Sequence, residues 1–296
     1  MISSIEKIHQ TISHEKKTFP FSIYHVLIPD WMKKFPFHWH DEFEMIYILK
    51  GQGIFSVNGF KNVCQAGDLI IVPPGSIHSI DQNQNDFVEY FNIIFSLSLL
   101  EENPESHCFR NYLSQLSEND CMKELFLRSD SPICKRLSPL VCDLISHGHA
   151  EYSGYEMIIK ARLFEIIYIL YNENLNDKKF SPQNQREKEN ALRLKKVLSY
   201  MKEHFAEKIT IEEVSEITSL SESRFMTFFK NQTGTSFIKY LNDYRLEAAA
   251  EQLLQTRKSV TQIALDNGFE NISYFVRTFK SKYEYTPHEY RKSGGK

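Results

Sequence analysis

Val260-Thr261-Gln262-Ile263-Ala264-Leu265-Asp266-Asn267, Gly268-Phe269 and Tyr274-Phe275-Val276-Arg277-Thr278-Phe279-Lys280 repeat a pattern met earlier in the chain. The earlier copy is Ile211-Glu212-Glu213-Val214-Ser215-Glu216-Ile217, Ser219-Leu220-Ser221 and Arg224-Phe225-Met226-Thr227-Phe228-Phe229-Lys230. Each reads as a short helix with apolar residues near helical spacing, a tight turn, and a capped second helix. Such a second helix can lie in the DNA major groove while the first braces it. Ser221 and Asn271 are the candidate caps, and Phe225, Phe228, Phe229, Phe275 and Phe279 the apolar backs. That leaves Ser223, Arg224, Met226, Thr227 and Lys230 of the first copy, and Ile272, Ser273, Val276, Arg277 and Lys280 of the second, to meet bases and phosphates.

Between the copies, Ser236 to Gln255 reads as one helix of about twenty residues, hence roughly 30 Å. Major-groove faces on one side of B-DNA recur roughly every 34 Å. One chain can therefore place both helices on adjacent turns.

This stretch, from about Glu189 to Arg291, resembles the AraC/XylS family of bacterial transcription regulators. The resemblance is carried by Ile263-Ala264, Gly268-Phe269, Ser273-Tyr274-Phe275-x-Arg277-x-Phe279-Lys280 and Thr286-Pro287-x-x-Tyr290-Arg291. It implies base and backbone contacts at the exposed positions named above, Arg277 foremost, with a guanine or a phosphate. Two departures stand out. Thr227 occupies a position where the family often has Arg, with Met226 beside it, so polar readout there is weakened and apolar contact with a thymine methyl becomes an option. Glu284 stands where the family usually has Gly, and a left-handed cap is costlier there; Gly234 keeps it in the first copy.

The remainder of the 296 residues gives a second domain. From about Phe21 to Phe95, short apolar runs alternate with turns, and Asn58-Gly59 is a strong hairpin signal. A sandwich or small barrel follows. Within it, His38-x-His40-x-x-x-Glu44 and a later His78 beyond Pro73-x-Gly75 supply three imidazoles and a carboxylate, in a spacing that resembles the two motifs of the cupin superfamily. Gln82 stands where cupins often show Asn. Three imidazoles and a carboxylate suit a divalent transition metal. The same residues also suit a polar pocket that hydrogen-bonds a small molecule such as a sugar, with Trp39 and Tyr47, and also Phe37 and Phe55, flanking it. Both readings stay open on the sequence.

After residue 100 helical periodicity takes over, with Ile133, Leu137, Leu140, Val141, Leu144 and Ile145 in one helix. Ile158, Ile159, Leu163, Ile166, Ile167 and Leu170 belong to a second, apolar on more than one side, which offers a stripe to a second subunit. The expected architecture is a two-domain α+β chain. Residues 1–172 form a cupin β-barrel with a helical dimerisation segment, 173–189 a polar linker, and 190–296 an all-α tandem helix-turn-helix domain.

Charge agrees with that division. Residues 186–296 hold 19 Lys+Arg against 15 Asp+Glu, while the rest is net −7 within an overall −3. A modestly basic reader suits phosphates and an acidic partner domain repels them. No apolar run approaches a membrane span and the N-terminus lacks a signal-peptide core, so a cytoplasmic protein is expected. The cysteines, Cys64, Cys108, Cys121, Cys134 and Cys142, lack Cys-x-x-Cys spacing and are expected as buried, inert thiols.

The expected function is a non-enzymatic regulator that binds double-stranded operator DNA and responds to a small-molecule effector. It would act as a homodimer and, as an activator, contact RNA polymerase. The rival reading is a metal-dependent cupin isomerase or dioxygenase fused to a DNA-binding tail. Against the rival, no general acid or base accompanies the four ligands beyond Asp41 and Glu42, and both are expected to face out or flank the turn. An architectural DNA binder without effector is the third.

Overall fold

The structure is a computed structural model, which describes residues 19–29, 34–84, 86–117, 122–148, 153–174 and 182–294. The described chain divides into two compact units between Ala191 and Leu192.

The first unit is built on one long strand. β3 (Phe43–Val57) pairs by its first half with β5 (Leu69–Val72) and β7 (Val88–Phe95), and by its second half with β4 (Phe60–Gln65) and β6 (His78–Gln82). β1 (Phe21–Ile28) extends the first sheet beyond β7, β8 (Phe126–Leu127) extends it beyond β5, and β2 (Lys34–His38) extends the second beyond β6. All pairs are antiparallel, so β3 threads two sheets into a barrel-like sandwich. The β3–β4 hairpin turns on Asn58 (φ 49°) and Gly59 (φ 86°), the double positive φ that an Asn-Gly turn supplies.

Side-chain alternation sorts the strands into two cores. Ile46, Ile48, Phe55, Val57, Ile70, Val72, Ile80, Val88 and Tyr90 point inward. Phe43, Met45, Leu69, Ile71, Ile93 and Phe95 point outward beneath α1 (Pro132–His147) and α2 (Tyr155–Asn174). Strands buried on both faces read as unbroken apolar runs, which is why Leu69-Ile70-Ile71-Val72 shows no alternation. Along α2, Met157 (76% exposed), Phe164 and Tyr168 stay outside this core.

The second unit is all helix. α3 (Pro182–His204) leads into α4 (Ile211–Thr218) and α5 (Glu222–Thr233), the first helix-turn-helix. α6 (Phe237–Gln255) crosses to α7 (Val260–Asp266) and α8 (Ile272–Tyr283), the second, and α9 (Pro287–Ser293) closes the fold. The expected linker 173–189 is therefore helical from Pro182, at whose first turn proline is well tolerated. Thr210 with Glu213, and Thr286 with Glu289, form reciprocal capping boxes.

The two copies match at an offset of fifty residues: Phe225 with Phe275, Phe229 with Phe279, Lys230 with Lys280. Each core is a cluster of rings, Phe225, Phe229, Phe237 and Tyr240 in one, Phe269, Phe275, Phe279, Tyr283 and Tyr290 in the other. Each is clamped by an arginine bonding two carbonyls. Arg245 donates to Phe205 O and Glu207 O, both at 2.6 Å; Arg291 donates to Leu253 O at 3.1 Å and Lys258 O at 2.6 Å. Glu284 takes the left-handed cap (φ 66°) that Gly234 takes in the first copy (φ 75°). Among the described residues, no helix is long and apolar enough to cross a membrane.

The cysteine expectation needs correction. Cys64 and Cys134 are buried and Cys108 half-buried, but Cys142 is exposed on α1. Cys121 lies outside the described residues.

Candidate functional site

β2 ends at His38, which pairs across the ladder with His78 at the start of β6. Their ring centroids lie 4.0 Å apart. His40 follows on the link to β3, and Glu44, the second residue of β3, shares the inward parity of Ile46 and Ile48. The structure thus gathers all four residues: one ligand atom from each lies within 4.8 Å of the others. Atoms bonded to one transition metal at about 2.0–2.2 Å are at most about 4.4 Å apart, so shifts of a few tenths of an ångström would close the set.

Three backbone carbonyls orient the imidazoles. His38 Nδ1 donates to Pro36 O at 3.0 Å, His78 Nδ1 to Ser76 O at 2.9 Å, and His40 Nδ1 to Glu42 O at 3.2 Å. These contacts occupy each Nδ1 and leave each Nε2 as the nitrogen available to a metal. His40 Nε2 meets Glu44 Oε2 at 2.7 Å. His78 Nε2 is buried 3.0 Å from the same oxygen, an ion-pair distance, yet makes no aligned hydrogen bond. A metal cation bound by both would satisfy the nitrogen and the carboxylate oxygen together.

Burial, then the neighbouring His78, hold the His38 pKa well below the imidazole range. His40 behaves oppositely: burial disfavours its charge, but hydrogen bonds to Glu42 and Glu44 push it up to about 10. Burial alone would raise Glu44; facing His78 and His40 bring it well below the carboxylate range. The signs give a pH prediction for metal-free protein. As pH falls below ~6.5 the unfolded chain takes up a proton that half-buried His38 refuses, so stability falls. The His40 contribution is complete below ~6.5 and is lost as pH rises from there toward 10. Melting temperatures of chelator-treated protein should therefore drop on both sides of about pH 6.5, and His40→Asn should remove the alkaline drop. An alkaline drop unchanged in His40→Asn would refute the assignment.

The flanking residues divide. Trp39 is half-buried between the two histidines in sequence. Tyr47 was expected beside the pocket but lies on the outward face of β3, packed with the helical layer near Cys142. Phe55 belongs to the inner core, its ring 6.0 Å from Tyr90. Glu42 was expected to face out; it is half-buried with its carboxylate 3.4 Å from His40 Nδ1, whereas Asp41 is exposed. Tyr90 escaped the sequence reading: it is buried in the inner core, and burial and the Glu44 charge both suppress its ionisation.

On the helical unit, Ser223, Arg224, Met226, Thr227 and Lys230 are all exposed along α5. Along α8, Ser273, Arg277 and Lys280 are exposed, but Ile272 and Val276 are half-buried against the second core, contrary to their expected outward face. Exposed Tyr274, absent from the expected set, accepts a hydrogen bond from Asn242 Nδ2 of α6 at 3.1 Å. The Arg277 guanidinium carbon sits 5.7 Å from the Tyr274 ring centroid. Only the neighbouring helix reveals this, since Asn242 lies 32 residues upstream.

Known proteins share both halves. Residues 21–167 match the family described as AraC-like ligand binding domain, and residues 214–293 match a helix-turn-helix domain family. An uncharacterized HTH-type transcriptional regulator of Bacillus subtilis, YdeC, is 25% identical over 97% of this chain and 97% of its own length. Uncharacterized HTH-type regulators of Staphylococcus aureus are 26% identical over 83% of this chain, which spans only 31% of their length. The C-terminal domain of the response regulator yesN from Fusobacterium nucleatum is 34% identical over 34% of this chain and 98% of that one, with a TM-score of 0.32. The chain belongs to the AraC family of transcriptional regulators: an AraC-like ligand-binding domain followed by a double helix-turn-helix DNA-binding domain.

Proposed function

We propose that this regulator senses its effector through a divalent transition metal held by His38, His40, Glu44 and His78. The observation that carries the reading is the convergence of one ligand atom from each of these four residues within 4.8 Å, with His78 Nε2 buried and in no aligned hydrogen bond. The set is three nitrogens and one hard oxygen, which suits zinc, iron, nickel or cobalt better than calcium or magnesium. A bound metal would supply a Lewis-acid contact for an oxygen-rich effector such as a sugar. The chain's own residues do the rest: the Pro36, Glu42 and Ser76 carbonyls fix the imidazoles, and buried Tyr90 lines the same inner core. The reading is of a sensor and not an enzyme, supported by relatives described as transcriptional regulators.

Action as a cytoplasmic homodimer is part of this proposal, supported by the uncovered Met157, Phe164 and Tyr168 of α2. So are activation through RNA polymerase and operator contact by Ser223, Arg224, Met226, Thr227, Lys230, Ser273, Arg277 and Lys280. A ligand can switch such a protein only by binding one arrangement of the DNA-binding domains better than another.

The test joins both halves. Titration of the full chain with Zn²⁺, Co²⁺ and Ni²⁺, with and without a panel of sugars, should raise the melting temperature and change affinity for a selected operator duplex. Metal that binds without altering duplex affinity would overturn the sensing proposal. On the DNA side, Arg277→Ala should weaken operator binding by about 1–3 kcal/mol and relax preference at one base pair. Lys280→Ala should weaken all duplexes alike and flatten the salt dependence by about one charge. Parent-like binding by both would remove α8 from the interface.

A further inference from the structure

The fifty-residue offset lets the two reader helices be compared position by position. At the centre of each exposed face stand Thr227 and Arg277; beside them stand Met226 and Val276. The structure makes these pairs chemically unlike. The exposed Thr227 donates its hydroxyl to Ser223 O of its own helix at 3.0 Å, which engages its one polar function within the helix and leaves the methyl as the group free to meet a base. Met226 is 50% exposed, although the helix has a ready apolar core on its other side. In the second copy Val276 turns into the core, and the central position carries a guanidinium steadied over Tyr274, itself bonded to Asn242.

We propose that the two helices read their half-sites by different chemistry: α5 recognises thymine 5-methyl groups through Met226 and the Thr227 methyl, and α8 recognises a hydrogen-bonding base edge through Arg277. This rests on the reading that α5 and α8 both face the operator. The thymine methyl is the one apolar feature that the major groove offers, and a thioether beside a threonine methyl is an apolar surface with flexible reach. Lys230 and Arg224 flank that surface and supply phosphate contacts that carry no base preference. The operator should accordingly be asymmetric, with a thymine step at one end and a guanine at the other.

The experiment uses the full chain and duplexes it enriches from a pool with randomised base pairs. Each thymine of the enriched sequence is then replaced by uracil, which removes only the 5-methyl group. One or two replacements, confined to one half-site, should weaken binding about fourfold each. Thr227→Ser keeps the hydroxyl bond to Ser223 and loses the methyl, so it tests reading without threatening the helix. Thr227→Ser and Met226→Ala should each bind thymine and uracil duplexes more nearly alike, whereas Arg277→Ala should keep the full uracil penalty. A flat uracil scan with the parent protein, or a penalty unchanged in both α5 variants, overturns methyl reading while leaving DNA binding intact. If no duplex is enriched, the placement of both helices on DNA fails, and methyl reading fails with it.

Discussion

His78→Ala should abolish stoichiometric metal binding, and Glu44→Gln should lower affinity at least a hundredfold. Outer-shell changes already cost about 10–100-fold at metal sites, and these two residues would be direct ligands. Both are essentially removed from solvent, at 2% and 1% exposure, so water cannot stand in for the lost atom without opening the barrel. Glu44 carries the only negative charge among the four groups, and it sets the balance that draws in a dication: without it, three imidazoles in a buried site prefer to stay neutral and empty. Competition against a chromogenic chelator and metal analysis after dialysis give the readout. The two variants separate binding from folding, because Gln keeps the shape of Glu44 and its capacity to bond His40. Retention of one metal per chain in both variants, with unchanged affinity, would remove the site from this location.

Much of this was legible in the sequence, for reasons specific to each element. The tandem readers announce themselves because helical spacing, caps and turns recur twice, and each signal is local. The four-residue cluster was legible from the His-x-His-x-x-x-Glu spacing and the Pro-Gly turn that leads back to His78, although β2 ends at His38 and leaves His40 on the link. Parity also held the correction for Tyr47: three residues beyond Glu44 on a strand, it must face the other way. Ile272 and Val276 could not be settled from their own helix, since a helical wheel shows a face but not what packs on it. Leu246, Ala249 and Leu253 of α6 share the core against which both rest. The polar composition of 173–189 suggested a linker, whereas Pro182 in fact opens a helix. Composition reports solvation there, and propensity decided the backbone.

Phe279→Ala should destabilise the DNA-binding domain by about 3–5 kcal/mol and eliminate operator binding at growth temperature. The ring is fully buried, with centroids of Phe275, Tyr283 and Tyr290 at 5.6, 4.6 and 5.3 Å. Truncation leaves a cavity among rigid aromatic faces that cannot collapse around it. The damage should not stay in the second copy. α6, 19 residues and thus about 28 Å long, gives Phe237 and Tyr240 to the first core and Leu246 to Leu253 to the second. At its middle, Arg245 clamps the Phe205 and Glu207 carbonyls of the first copy and abuts the turn of the second. A Cβ on Gly268 (φ 77°) would come within 2.8 Å of Phe205 O and 2.9 Å of the Arg245 guanidinium. The two readers are therefore one cooperative unit, and Phe279→Ala should shift a single urea transition of this domain, with amide protection falling in α5 as well as α8. Two resolved transitions, the first keeping parent stability, would show instead that the copies fold independently. The spacing of the two readers along DNA would then be set by a flexible joint and not by a rigid α6, and the match between helix length and groove repeat would lose its meaning.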